Sequence, residues 1–270
     1  MMYEEFFNLR CKPFSKTPDP NFLFYSKAHE EALARLQLAV EEKEIVVLTG
    51  EIGSGKTTLS RALMDSLGDN YRIISILNPR LTAPQFLRII ARRFDIDHNQ
   101  PKDDLLEAIH AKVFEDYTNG ITPVIIIDEA QLIPDRNTFE EIRLLTNFQL
   151  DDENLLSLIL IGQPDLRKRL ERKTYLPLRQ RIGLFYHLNP LCDEEIREYI
   201  KHRLRLAGRE APLFSDDAIE AICKFSRGIP RNINNIASNS LFEAFGAGKE
   251  IIDRDIISDV ANELGLNGVR

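Results

Sequence analysis

Gly50-Glu51-Ile52-Gly53-Ser54-Gly55-Lys56-Thr57 follows directly on the apolar run Ile45-Val46-Val47-Leu48-Thr49. Glycines in such a stretch let the backbone curl until successive N–H groups point inward, a cradle for phosphate oxygens. A helix starting near Lys56 adds the positive end of its dipole. Lys56 brings a positive charge to the outer phosphates, and the Thr57 hydroxyl is a hard oxygen ligand for magnesium. The spacing is that of a P-loop, in the strand-to-helix context that the motif requires. The alternative, a glycine-rich turn with no ligand, explains neither the lysine nor the threonine. Gly50, Glu51, Ile52, Gly53, Ser54, Gly55, Lys56, Thr57 and Thr58 are therefore the candidate nucleotide contacts, with Thr57 also a candidate metal ligand.

Pro123-Val124-Ile125-Ile126-Ile127-Asp128-Glu129-Ala130-Gln131 is an apolar strand that ends in two carboxylates. Strand alternation sends neighbouring side chains to opposite faces, so Asp128 is expected to hold the magnesium shell while Glu129 leans toward the terminal phosphate and polarises the attacking water. An acidic turn after a strand is common by itself. Together with a P-loop upstream it points to nucleotide hydrolysis.

The elements that must position these residues read as alternating strands and helices up to about Pro190. Strands are expected at Ile45–Thr49, Tyr71–Leu77, Thr122–Ile127, Leu155–Ile161 and Leu184–Leu188. Near-continuous apolar runs of this kind belong to a parallel sheet covered by helices on both faces. Thr82-Ala83-Pro84-Gln85 reads as a capping box, Asp103 as a second helix start and Asn137-Thr138-Phe139-Glu140 as a third. After Asn189-Pro190-Leu191 only helical patterns follow, at Asp193–Leu206, Ser215–Ser226, Arg231–Phe245 and Asp253–Leu264. The expected architecture is a P-loop αβα sandwich with a five-stranded parallel sheet over residues 1–189, followed by an all-helical lid over residues 190–270.

With 270 residues, 43% of them hydrophobic and 29% charged, the chain can bury a core in two parts. No apolar run is long enough to span a bilayer, and the start Met1-Met2-Tyr3-Glu4-Glu5 is acidic where a secretory leader is basic, so a cytoplasmic protein is expected. Cys11, Cys192 and Cys223 have no metal-site or disulfide spacing, and Cys223 falls in an apolar stripe with Ile219, Ile222 and Phe225. A net charge of −7 argues against a surface built throughout for nucleic acid. Leu166-Arg167-Lys168-Arg169-Leu170-Glu171-Arg172-Lys173, with Arg179 and Arg181 beyond it, is the densest basic patch. It reads equally as a solvated helix face near a subunit contact or as a contact to DNA. Arg88, Arg92 and Arg93 and the stretch Lys201 to Arg205 read as helix surface.

The P-loop, the Asp128-Glu129 turn, the helical C-terminal part and Gly228-Ile229-Pro230-Arg231 together resemble an AAA+ ATPase. Tyr3-Glu4-Glu5-Phe6-Phe7, Lys12-Pro13-Phe14, Thr17-Pro18-Asp19-Pro20, Phe24-Tyr25-Ser26 and His29-Glu30-Glu31-Ala32-Leu33 are similar to the ATPases called general secretion pathway protein A. Asp128-Glu129-Ala130-Gln131, Ile161-Gly162-Gln163-Pro164-Asp165-Leu166 and Leu178-Arg179-Gln180-Arg181-Ile182 fit the same group. Transposase-partner ATPases and some replication initiators share this core.

The resemblance implies ATP and Mg2+ as cofactors, hydrolysis of ATP to ADP and phosphate, and self-association into a ring or filament that drives or switches assembly of a partner complex. The alternative it leaves open is an ATP-gated DNA-binding regulator of the transposition-helper kind; the protein partner is unspecified. It implies a sensor role for Gln163, whose amide otherwise satisfies backbone in the turn. It implies an arginine finger offered to a neighbouring subunit at Arg181, with Arg179 as second choice. Arg231 corresponds to the lid sensor, its other role being a helix-start cap or ion pair. The N-terminal segment 1–28 is expected beside the nucleotide domain, with Phe14, Phe22, Phe24 and Tyr25 as adenine-pocket candidates or core filler. In that family a membrane span and a wall-binding region commonly follow; whether these residues are the ATPase part of a longer protein or a free-standing relative stays open.

Overall fold

A computed structural model describes residues 3–15, 24–150 and 153–266, and it divides into two compact units. One comprises residues 29–50 and 59–188, the other the described residues of 1–28, 51–58 and 189–270. In chain order the elements are α1 (Tyr3–Phe6), α2 (Lys27–Glu41), β1 (Ile45–Gly50), α3 (Lys56–Ser66), β2 (Tyr71–Ile76), α4 (Ala83–Arg93) and α5 (Lys102–Thr118). Then come β3 (Thr122–Ile127), α6 (Arg136–Leu145), a short antiparallel ladder of β4 (Gln149–Leu150) and β5 (Glu153–Asn154), β6 (Ser157–Gly162), α7 (Pro164–Leu170), α8 (Leu176–Arg179) and β7 (Ile182–Leu188). The chain continues through α9 (Asp193–Leu206), α10 (Asp216–Ser226), α11 (Pro230–Gly246) and α12 (Arg254–Glu263).

Unit one is a five-stranded sheet in the order β2-β3-β6-β1-β7, parallel throughout. Every residue of β1 and β6 is buried, as expected of inner strands with helices on both faces. The edge strands β2 and β7 carry most of the half-buried positions. Facing residues of α4, α5 and α6, among them Phe86, Ile90, Ile109, Val113, Phe139 and Ile142, fill the space over Ile125, Ile127, Leu158 and Leu160. Each such fully buried side chain contributes about 1.5–3 kcal/mol of transfer free energy. The register pairs Ile127 with Leu160 and Thr49 with Gly162, so β1, β3 and β6 end at one edge of the sheet.

Local starts differ from expectation where a better partner exists. Gln85 accepts from the Thr82 N–H at 2.9 Å, as a capping-box glutamine should. Helix α6 begins before Asn137, because the Asp135 carboxylate takes the Thr138 N–H at 2.9 Å and its hydroxyl at 3.0 Å. Leu155 and Leu156 are buried but precede β6, since the Leu155 N–H goes to Phe148 O at 3.0 Å, not to the sheet.

Unit two is built on the helices α9 to α12, which bury Ile196, Ile222, Ile233, Ile236, Leu241 and Ile257 against each other. Cys223 lies half-buried in this stripe, and burial pushes its thiol up to about 11. The N-terminal segment packs here. Tyr3, Phe7, Leu9 and Phe14 are buried in the helical core, with the Phe14 ring 6.0 Å from Phe214 and the Phe24 ring 5.6 Å from Tyr199. Burial pushes the Tyr3 hydroxyl up to about 12. Arg209 donates to Phe7 O at 2.6 Å and Arg203 to Pro13 O at 3.3 Å, pinning the segment's backbone to α9 and the turn after it. The aromatic rings offered as adenine contacts thus serve the helical core at Phe14 and Phe24, and Tyr25 is exposed. Phe22 and Thr17-Pro18-Asp19-Pro20 lie outside the described residues. Among the described residues, no helix is long and apolar enough to cross a membrane.

Candidate functional site

The loop from Glu51 to Thr58 belongs to the helical unit, and its shape follows from two glycines in the left-handed region, Gly53 at φ 85° and Gly55 at φ 102°. Ser54 N–H closes the turn on Glu51 O at 3.1 Å. Lys56 opens α3, is buried, and donates from Nζ to the loop's own Glu51 carbonyl at 2.8 Å. Arg231, in the first turn of α11, donates its backbone N–H to Gly53 O at 3.3 Å. A Cβ at Gly53 would sit 2.5 Å from Arg231 Cβ and 3.3 Å from its Nε, so the arginine stem lies along the loop where only glycine fits. The preceding Gly228, at φ 71°, abuts Leu191: an added Cβ would come within 2.1 Å of Leu191 O. Leu191 N–H donates to Gly228 O at 2.9 Å. The Gly-Ile-Pro-Arg turn therefore presents Arg231, and Pro230 begins the helix where no N–H partner is needed. A curled backbone, a buried ammonium and an adjacent guanidinium suit a polyphosphate, and the Thr57 hydroxyl suits its magnesium ion.

At the sheet edge, β3 stops at Ile127, and Asp128 N–H still bonds Ile76 O of β2 at 2.9 Å. Asp128 is buried, and its Oδ1 accepts the Glu129 N–H at 2.8 Å. Glu129 is left-handed, at φ 53° and ψ 37°. Strand alternation thus does not orient Glu129, contrary to the sequence argument; a left-handed backbone and two amides do. Gln131 Nε2 donates to Glu129 Oε2 at 2.5 Å, and Gln163 Nε2 reaches the same oxygen at 3.4 Å. The Gln163 backbone N–H donates to Gln131 Oε1 at 3.0 Å. Gln163, just past β6, is brought to the carboxylate by the adjacency of β3 and β6. Gln131 was not singled out as a site residue from sequence. Its signals were its place in the Asp128-Glu129-Ala130-Gln131 run and an amide two residues after Glu129, where a short helical turn, Ala130–Leu132, returns the side chain toward the carboxylate.

Of the two finger candidates, Arg181 donates to Thr146 O at 2.8 Å and to its hydroxyl at 3.3 Å, at the C-terminus of α6. Arg179, at the end of α8, is exposed. Within the basic run Arg169 points inward: its guanidinium donates to the backbone oxygens of Ile133 and Gln131 and to the Tyr175 hydroxyl. It also sits 4.7 Å from the centroid of the Phe139 ring. Arg167 pairs with Glu171 and Lys168 with Asp165, so these side chains of the patch are already answered within α7 and its cap.

Comparison with known proteins is consistent with this geometry. A family described as AAA domain matches residues 39–170. The chain is 38% identical over 273 residues to general secretion pathway protein A of Aeromonas hydrophila, covering 100% of this chain and 49% of that protein. It therefore spans about half the length of that relative. It is 26% identical over 271 residues to the Holliday junction branch migration complex subunit RuvB of Fervidobacterium nodosum, covering 92% of this chain and 67% of that one. Among solved structures, Cdc6p from Pyrobaculum aerophilum superposes with a TM-score of 0.71 at 18% identity, covering 96% of this chain and 72% of that one.

Proposed function

We propose that this chain, a member of the AAA+ ATPase family related in sequence to general secretion pathway protein A, binds ATP with Mg2+ and hydrolyses it to ADP and phosphate. Two observations, one in each unit, carry the reading: a glycine-curled loop that buries its lysine, and a carboxylate held by two amides at the end of a buried strand. In this reading the N–H groups of Gly50 to Thr58 and the Lys56 ammonium hold the phosphates, and Thr57 and Asp128 supply the oxygens for the metal. Magnesium supplies charge neutralisation on the phosphates when bound. Glu129 orients and polarises the attacking water, Gln163, whose amide reaches that carboxylate at 3.4 Å, serves as the sensor of the terminal phosphate, and Arg231 couples α11 to the phosphate loop.

A neighbouring subunit completes the reaction through an arginine; Arg179 and Arg181 are both exposed, and Arg179 is the first choice because Nη1 of Arg181 is held by its own Thr146. The reading extends to a ring or filament in the cytoplasm that uses nucleotide state to act on a partner complex of the secretion kind, as the name of its relative suggests. The DNA-regulator alternative draws on the relative named as a branch migration subunit, but inward-facing Arg169 weakens the patch that motivated it.

Isothermal calorimetry with ATP and Mg2+ on the full chain should show binding that Lys56→Ala abolishes. Glu129→Gln should keep that binding and lose at least about 100-fold in turnover. Unchanged turnover in Glu129→Gln removes the hydrolytic assignment. Mixing Arg179→Ala with Lys56→Ala chains should restore activity that neither has alone, and recovery only with Arg181→Ala would reverse the order of the fingers.

A further inference from the structure

Gln131 uses both ends of its amide at the one place where the carboxylate of Glu129 has to be aimed. Its Nε2 donates to Glu129 Oε2 at 2.5 Å, and its Oε1 accepts the Gln163 N–H at 3.0 Å. The seat for this amide is made by a missing side chain: a Cβ at Gly162 would lie 2.7 Å from Gln131 Oε1. The backbone beneath it is fastened as well. Arg169 Nη1 donates to the carbonyls of Gln131 and Ile133, and its guanidinium packs against the mutually contacting rings of Phe139 and Tyr175, 4.7 and 5.3 Å from their centroids.

A residue that ends a strand ordinarily inherits its direction from the pleat. Glu129 does not, because its left-handed backbone takes it out of the alternation, a conformation that a non-glycine residue keeps only where its surroundings hold it. What aims its carboxylate is the amide of Gln131, with Gln163 as a longer second contact. Both amide contacts fall on Oε2, which leaves the direction of Oε1 set by the same hinge.

We infer that Gln131 is a positioning residue for hydrolysis: by clamping one carboxylate oxygen of Glu129 between the ends of β3 and β6, it aims the other at the attacking water. The inference rests on the hydrolytic role proposed for Glu129. It adds a residue whose contribution is orientation, which in a reacting pair is worth orders of magnitude for about 1 Å of displacement.

Gln131→Met keeps the length of the side chain and deletes both amide contacts. Steady-state hydrolysis by the full chain, ATP affinity by calorimetry and thermal unfolding are measured side by side. The expected result is a kcat lower by about 10- to 100-fold with KM, ATP affinity and unfolding temperature unchanged. In a Glu129→Gln background the same substitution should change residual turnover by less than about twofold, because residues that act as one unit are not additive. Gln131→Glu, of the same shape but with the donor replaced by an acceptor, should lose activity in the same way and serves where methionine disturbs packing. Wild-type turnover in both variants overturns the inference. A loss that multiplies with that of Glu129→Gln, or that tracks a loss of ATP affinity, also overturns it. If Glu129→Gln itself turns over normally, the hydrolytic reading has failed; if Glu129→Gln is inactive while both Gln131 variants are intact, only the positioning role has failed.

Discussion

The glycine-curled loop and the acidic strand end reach defined geometries by opposite means. The loop is shaped by backbone: two left-handed glycines, a turn closed on Glu51 O, and Arg231 filling the space where Gly53 has no side chain. The strand end is shaped by side chains: a carboxylate on a left-handed residue, aimed by amides that come from two segments of chain. Backbone sites tolerate little change at glycine and much elsewhere, whereas side-chain sites depend on the elements that deliver each group. The difference teaches which substitutions should damage binding and which should damage chemistry.

The largest expected effect breaks the delivery. Leu160 is fully buried and paired in register with Ile127, so Leu160→Ala should cost about 2–5 kcal/mol in urea unfolding. The acidic end should lose function before the loop does. Gly53→Ala should act on the loop alone: a Cβ 2.5 Å from Arg231 Cβ on a backbone at φ 85° implies strain of about 1–3 kcal/mol. That should appear as weaker ATP binding by calorimetry, with the unfolding of residues 59–188 unchanged by hydrogen exchange. Arg169→Ala sharpens the comparison from the other side. It strips two backbone carbonyls of a charged donor, for about 1–2 kcal/mol of stability, and should lower kcat more than ATP affinity. A parallel fall in affinity would show that the two regions are not separable. The smallest effect is a control: Asp135→Ala removes the cap of α6, costs about 1 kcal/mol in thermal unfolding, and should leave KM unchanged.

The lysine loop, the acid pair and the five strands were legible because each is written in a short window. The P-loop is a local turn with its own residue types, and β1, β2, β3, β6 and β7 are runs of apolar residues found within two or three positions of where periodicity put them. The starts of α9, α10 and α12 were equally local, within one residue of the Asp193, Ser215 and Asp253 that the pattern offered, and Ser215 and Asp253 prove to be the caps. The start of α6 was missed by two residues because aspartate and asparagine both cap, and only the fold showed which side chain faced the free N–H.

The rest was decided in three dimensions. The aromatic N-terminus reads the same whether it covers a nucleotide domain or fills a helical core; its rings lie against Phe214 and Tyr199, far along the chain. Arg169 and Arg181 look like surface cations in a basic run, yet each satisfies backbone carbonyls brought near by folding. Sequence alone marked the residues proposed to grip phosphate and polarise water, since those capacities are properties of side-chain type and short spacing. Only the tertiary structure decided that Glu129 leaves the strand alternation, that Gln163 joins Gln131 at its carboxylate, and that Arg169 and Arg181 engage backbone carbonyls, because these depend on backbone conformation and on groups that folding brings together from separate segments.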